Sequence, residues 1–339
     1  MYDFLVLGGD MRQVYLADIL REQGYRVADY LLPQDGKSFS KEIKGESKKE
    51  VEATSSLLFE LLKGEEDIFF EELSQTGTIL APIPLSKEGK NLNCTQAKEK
   101  FALEQLIAGL KKGQYFFAGC IPKWFLAKCE QKEVYCYDYM EDESLAVRNA
   151  VATAEGVLAE AILKYPGNLH DTKCLVLGFG KCGRVLAEKL KGLSARVTVC
   201  IRKDSDYAWA KACGYEAVYF DKILIQRQHR KDTQLICQNL TQDEEENEEE
   251  TRELSRKIME YPLIFNTVPS QILDRRLLSK VRKDGFIFDL ASAPGGVDYE
   301  AARRLKIAAA SYPSLPGKYA PKASAQVMAE LIKRVIRKE

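Results

Sequence analysis

Apolar positions in this chain fall into short unbroken runs separated by amphipathic stretches. That pattern predicts buried parallel strands alternating with helices. Phe4–Leu7, Tyr25–Tyr30, Thr78–Ala81, Tyr115–Ala118 and Glu133–Asp138 read as the strands of a first α/β domain. Helices are expected between them: one with Val14, Tyr15, Ile19 and Leu20 on a single face, then Val51–Leu62, Lys98–Lys111 and Pro122–Glu130. Residues 35–50, rich in Lys, Glu, Ser and Gly, read as an exposed loop. Glu143–Lys164 is a helical stretch long enough to bridge two domains. Cys174–Leu177, Val197–Ile201, Leu263–Asn266, Gly285–Leu290 and Ile307–Ala310 follow as strands of a second domain. The chain ends in a helix, Ala323–Arg337, with Val327, Met328, Leu331, Ile332 and Val335 on one face. An apolar stripe of that kind must be buried, and it is expected to return to the first domain.

The second domain opens on a recognisable unit. A buried run, Cys174–Leu177, leads into Gly178, Gly180 and Gly183 as G-x-G-x-x-G; a helical pattern and then the strand Val197–Ile201 follow. In such a unit the first glycine permits a tight turn, the second admits a pyrophosphate, and the third lets helix and strand pack closely. The helix N-terminus presents N–H groups to the phosphates. Gly178, Phe179, Gly180, Lys181, Cys182 and Gly183 are therefore candidate coenzyme ligands. Where an NAD site carries an acid for the ribose, this chain has Arg202-Lys203, which favours the 2′-phosphate of NADP. Asp204 and Asp206 leave NAD open. Loops at strand carboxyl ends should face the coenzyme: Asn266, Thr267, Val268 and Pro269 after one strand, Ser292 and Gly295 after another. The fold class is thus α/β with two doubly wound parallel sheets. One is a Rossmann NAD(P)-binding domain over 144–317, the other a flavodoxin-like N-terminal domain built from 1–143 and 318–339. A ligand cleft is expected between them.

Composition narrows the picture further. Fifty acidic and fifty basic side chains cancel, so no overall field draws the chain to nucleic acid or an anionic membrane. No apolar run approaches membrane-helix length, and MYDFLVLGGD reads as a strand and not as a signal peptide. Nine cysteines never form C-x-x-C and are accompanied by two histidines, which makes a metal site improbable and points to reduced thiols in the cytoplasm. Cys182 lies where a helix start would favour its thiolate, although packing is the simpler role. Residues 221–260, with a basic cluster followed by an acidic one, read as a solvated insertion.

Five segments together carry a resemblance: Leu7–Gln13, Asn149–Gly156, Asn266–Ser270, Asp289–Asp298 and Leu315–Lys322. Their order and spacing along nearly the whole chain resemble the A-subunit family of dipicolinate synthase. Two departures are the length of 221–260 and a terminal motif that reads Ala320–Ala325 without the Thr and Gly of the family. The resemblance implies an architecture like that of the formate/2-hydroxyacid dehydrogenases. It implies synthesis of dipicolinate, a calcium-chelating spore component, in the mother cell of spore-forming bacteria. The implied substrate is the cyclic product of the lysine-pathway condensation. The implied partner is the flavoprotein-like B subunit of dipicolinate synthase, in a homodimer or hetero-oligomer.

A ring with two carboxylates needs cationic anchors. Arg12 is the first candidate, Lys322 the second, and Arg148 remains open. Gly9, Asp10, Gln13, Asn149, Thr153 and Gly295 are the expected substrate neighbours. No histidine lies on these loops, which argues against 2-hydroxyacid dehydrogenation. Acid–base work then falls to Asp10, Glu155, Asp289, Asp298 or Lys322, with Asp10 and Glu155 preferred as residues of the domain expected to cover the nicotinamide. Two other readings stay open: a stand-alone NADP dehydrogenase of another small acid, or a non-catalytic nucleotide-binding partner of the flavin subunit.

Overall fold

In β1 (Phe4–Leu7) all four side chains are buried, and alternation divides them between two cores. Leu5 and Leu7 pack with Leu103, Leu106, Phe116 and Phe125; Phe4 and Val6 pack with Leu16, Leu20, Met328, Leu331 and Ile332. A strand covered on both faces must carry apolar side chains at consecutive positions, as β1 does. The computed structural model describes residues 2–33, 68–94, 101–220, 253–292 and 294–337. The expected loop 35–50, helix Val51–Leu62, His229, Cys237 and the charged stretch 221–252 lie outside the described residues.

The chain divides into two compact units, residues 1–146 with 320–339, and residues 147–319. In the first unit β1 pairs in parallel with β2 (Val27–Tyr30) and β3 (Thr78–Leu80), and β4 (Tyr115–Ala118) and β5 (Tyr135–Asp138) complete the order β2-β1-β3-β4-β5. This is the flavodoxin-like strand order. Helices α1 (Met11–Glu22), α2 (Leu103–Gly109) and α3 (Lys123–Gln131) connect the strands. Asp10 caps α1 in a reciprocal box with Gln13. The expected helix Lys98–Lys111 is shorter in the structure, and the second strand begins at Val27, past the positive-φ Gly24 that ends α1.

Helix α4 (Glu143–Lys164) runs across the boundary between the units. The second sheet has β6 (Lys173–Leu177), β7 (Arg196–Ile201), β8 (Glu216–Tyr219), β9 (Leu263–Asn266), β10 (Phe286–Asp289) and β11 (Ala308–Ser311). Their order, β11-β10-β9-β6-β7-β8, is parallel throughout and is that of the Rossmann fold. Helices α5 (Lys181–Gly192), α6 (Asp204–Ala212), α7 (Glu253–Lys257), α8 (Arg275–Leu278) and α9 (Tyr299–Arg304) link them. α6 and β8 went unread from the sequence, although Ala217–Phe220 is an apolar run of four. Residues 253–260 correct the reading of 221–260 as wholly solvated. Leu254 and Ile258 are fully buried against Leu175, Leu177 and Leu273, so this part belongs to the core. Leu315-Pro316-Gly317 opens the short helix α10 (Leu315–Tyr319).

The last helix, α11 (Pro321–Ile336), buries Val327, Met328, Leu331 and Ile332 in the core that holds Leu16 and Leu20 of α1. Arg334 and Asp142 form an ion pair beside it.

α4 and α10 are joined through Glu160, whose side chain is 7% exposed. Its Oε1 accepts from Lys318 Nζ at 2.6 Å and from the Tyr319 hydroxyl, and Lys164 Nζ lies 3.5 Å from Oε2. The Lys318 and Tyr319 hydrogen bonds hold its carboxyl down at about 2, against an ordinary value of 4.5. A depressed carboxyl pKa stabilises the fold above the unfolded value and loses that contribution as pH falls through the folded one. Glu160→Gln is therefore expected to lower urea stability at neutral pH. Stability of the variant should also fall less steeply between pH 4.5 and pH 2 than that of the unmodified chain.

Candidate functional site

In the second unit strand order reverses between β6 and β9, and open α/β sheets bind ligands beyond the strand ends at such a point. Gly178 ends β6 at φ +95°, a conformation that side chains rarely adopt, and a Cβ there would meet Thr267 Oγ1 at 2.6 Å. At Gly183 a Cβ would stand 2.1 Å from the Gly178 carbonyl oxygen. That close approach seats the first turn of α5 on the strand end. Gly180 differs, for a Cβ built there has nothing within 4 Å. It borders a cleft of about 420 Å³ whose walls include Phe179, Arg202, Lys203, Asp206, Phe220 and Pro269. Gly180 is the N-cap of α5 and offers no side-chain cap to the first-turn N–H groups.

Val268, Pro269 and Ser270 from the loop after β9 also line the cleft. Thr267 ties the loop to β6, its N–H and Oγ1 both donating to the Leu177 carbonyl at 3.0 and 2.9 Å. Asn266 is wholly buried; its Nδ2 donates to Asp289 Oδ1 at 2.8 Å and to the Val268 carbonyl at 3.1 Å. Asp289, equally buried, also accepts from Ala291 N, Gly296 N and the Tyr299 hydroxyl. Four donors satisfy this carboxylate without a cation, which makes it the brace of both loops. Burial, helped by the Asp289 charge, pushes the Tyr299 hydroxyl well above its ordinary value. Ser292 is exposed, and Gly295 lies half-buried at φ +86° beside Asp289.

Beyond β7 the cleft becomes cationic. Arg202 and Lys203 are exposed and have no ion-pair partner among the described residues. The nearby acids are engaged: Asp204 accepts from the Tyr219 hydroxyl at 2.8 Å, and Asp206 from Arg184 Nη2 at 3.0 Å. Lys181 is exposed in the first turn of α5. Burial raises the Cys182 thiol, and Lys181 opposes this only in part.

In the first unit Asp10, Arg12 and Gln13 follow the carboxyl end of β1, where this sheet reverses its strand order between β1 and β3. Arg12 is 4% exposed. Its Nε and Nη2 donate to Asp10 at 2.9 and 2.8 Å, and Nη2 also reaches the Ile83 carbonyl at 2.5 Å. Nη1 has no partner among the described residues. Gln13 Oε1 accepts from Asp10 N at 3.2 Å, whereas its buried Nε2 is unpartnered among the described residues. Gly9 donates its N–H to the Asn93 carbonyl at 2.7 Å. Burial pushes the adjacent Cys94 thiol up to about 11. Lys322 is exposed in the first turn of α11.

Asn149, Thr153 and Glu155 belong to the second unit, which corrects the expectation that Glu155 lies on the domain opposite the coenzyme. Thr153 Oγ1 donates to the Asn149 carbonyl at 2.9 Å, and Glu155 pairs with Lys189 at 3.1 Å. His170 is exposed just before β6, at its amino end. No group of three or more potential ligands could hold a metal among the described residues. No helix among them is long and apolar enough to cross a membrane.

Sequence reasoning missed Arg184, Phe220, Ile272, Asn93 and the Ile83 carbonyl. Only Arg184 carried a local signal, standing directly after the third glycine. The others reach the two sites through pairings across tens of residues.

Comparison with known proteins extends the reading. Residues 63–140 match the family described as the N-terminal domain of the dipicolinate synthase A subunit. Over 196 residues the chain is 29% identical to the dipicolinate synthase A subunit of Bacillus subtilis (strain 168), covering 58% of this chain and 56% of that protein. The match thus spans about half the length of that relative. The crystal structure of the dipicolinate synthase A subunit from Bacillus halodurans is similar with a TM-score of 0.72 at 21% identity, over 98% of this chain and 96% of that one. The A chain of dipicolinate synthase from Bacillus subtilis also gives 0.72, at 22% identity, over 99% and 95%. The fold is shared throughout, and the resemblance to the dipicolinate synthase A subunit read from the motifs holds.

The glycines separate stability from binding. Gly183→Ala forces a methyl against a backbone carbonyl, and overpacking of this kind costs about 1–3 kcal/mol or more. Gly180→Ala projects into open space and should cost less than about 1 kcal/mol. Denaturant unfolding of the two variants checks the contrast.

Proposed function

We propose that this chain is the A subunit of a dipicolinate synthase, an NADP-linked oxidoreductase. Its substrate is 4-hydroxytetrahydrodipicolinate, the cyclic product of the lysine-pathway condensation. The ring first loses water; the dihydropyridine then gives up a hydride and a proton and leaves as the aromatic dicarboxylate. Bound NADP supplies the hydride acceptor. Aromatisation drives the oxidation, so the protein's work is to hold the ring and neutralise its carboxylates.

One observation carries the reading: the glycine cleft of the second unit ends at two cations, Arg202 and Lys203, that no neighbouring acid neutralises among the described residues. The open space over Gly180 and the uncapped first turn of α5 suit a pyrophosphate. Arg202 and Lys203 suit a 2′-phosphate better than a bare ribose. Arg12 anchors one ring carboxylate through Nη1, and Asp10 positions its guanidinium, since its oxygens already accept from Arg12. Lys322, exposed and without a partner among the described residues, is the second anchor. Gly9 and Gln13 complete the substrate contacts. The flavoprotein-like B subunit of the synthase works with this chain in the cytoplasm of the mother cell of a spore-forming bacterium.

The test supplies purified chain with the condensation product and NADP, with and without the B subunit, and follows pyridine absorbance. Absorbance that never rises in either mixture would sink the proposal. Arg202→Asp should weaken NADP by about 1.5–3 kcal/mol in equilibrium binding while sparing NAD. Arg12→Ala should lower kcat/KM for the ring substrate roughly 30- to 900-fold, equivalent to about 2–4 kcal/mol, with NADP affinity nearly unchanged.

A further inference from the structure

Asp206 is the acid that should make this cleft prefer NAD. It lines the same cleft as Arg202 and Lys203, in the first turn of α6, and its side chain is 26% exposed. A free carboxylate there repels a 2′-phosphate and can accept a hydrogen bond from an unphosphorylated ribose. It is not free, because Arg184 Nη2 donates to its Oδ1 at 3.0 Å. The same guanidinium is fixed from its other side. Nε donates to the Phe179 carbonyl at 2.9 Å, and the guanidinium carbon lies 5.2 Å from the centre of the Phe179 ring. Arg184 follows Gly183, and its backbone N–H closes the first turn of α5 on Gly180. One side chain thus joins the phosphate-binding turn to the acid at the ribose end. The second acid, Asp204, is turned to the Tyr219 hydroxyl.

Resting on the coenzyme reading above, we infer that Arg184 is a specificity-determining residue: by pairing with Asp206 it cancels the one carboxylate that lines the cleft among the described residues and leaves Arg202 and Lys203 as the net charge met by a 2′-phosphate. A neutral pair contributes little at this distance, whereas an unpaired carboxylate beside a dianion weakens its binding roughly tenfold at a protein surface. Arg184 therefore acts on the choice between coenzymes and not on the dinucleotide core they share.

The experiment measures equilibrium binding of NADP, NAD, 2′,5′-ADP and 5′-AMP to the full chain and three variants. Arg184→Met removes the charge and keeps the stem. It should weaken NADP and 2′,5′-ADP about tenfold and leave NAD and 5′-AMP within about twofold. Arg184→Met/Asp206→Asn should recover NADP affinity, since the uncancelled charge is gone. Asp206→Asn alone, at a partly exposed site that tolerates an isostere, should bind NADP as well as or better than the unmodified chain. Equal weakening of all four ligands in Arg184→Met, no recovery in the double variant, or loss of NADP in Asp206→Asn would each overturn the inference while leaving dinucleotide binding itself intact. If the unmodified chain binds neither coenzyme, the coenzyme reading falls and this inference falls with it.

Discussion

The second unit depends on the approach of the α5 N-terminus to the end of β6. With 2.1 Å between a hypothetical Gly183 Cβ and the Gly178 oxygen, only a hydrogen fits at that point. This contact sets where the helix begins, and hence where its uncapped N–H groups are placed. It also brings Thr267 against Gly178, so the β9 loop is clamped to the β6 carbonyl by two hydrogen bonds. The buried Asn266–Asp289 pair continues the brace to β10. A cleft walled by such a chain of contacts is preorganised, and its ligands need not order it on binding.

Charge is arranged on the same principle in both units: acids stand beside cations and decide which of them remain available. Asp206 and Asp204 are engaged by Arg184 and Tyr219, which leaves Arg202 and Lys203 unopposed among the described residues. Asp10 holds two nitrogens of Arg12 and leaves the third without a partner among the described residues. Glu160 works structurally, its buried carboxylate binding α4 to α10 through an ion pair with the exposed Lys318. None of these roles follows from the count of fifty acids and fifty bases, which cancel.

The sequence by itself determined the two parallel α/β sheets, the glycine turn, the cationic end of β7 and an amphipathic last helix that had to be buried. These are local properties: strand runs apolar at consecutive positions, glycines at fixed spacing, a stripe at helical period. The sequence did not disclose α6 and β8: the apolar run at β8 is only four residues, Ala217–Phe220, and the strand lies at the sheet edge. Nor did it separate the core turns at 253–260 from the charged stretch before them, because two buried side chains, Leu254 and Ile258, are too few to make a period.

Tertiary structure alone decided which partners the candidate residues meet. Arg12 read as a lone cation after a glycine turn, yet its guanidinium is held by Asp10 two residues earlier and by a carbonyl 71 residues away. Glu155 read as an acid awaiting a substrate, and it pairs with Lys189. Asn266 and Thr267 read as coenzyme contacts, and their side chains also hold the loop itself, Asn266 on Asp289 and Thr267 on the Leu177 carbonyl. Residue type and local pattern set the chemistry a side chain can offer. Its neighbours, brought in by parallel strands far apart in the chain, set how much of that chemistry remains for a ligand.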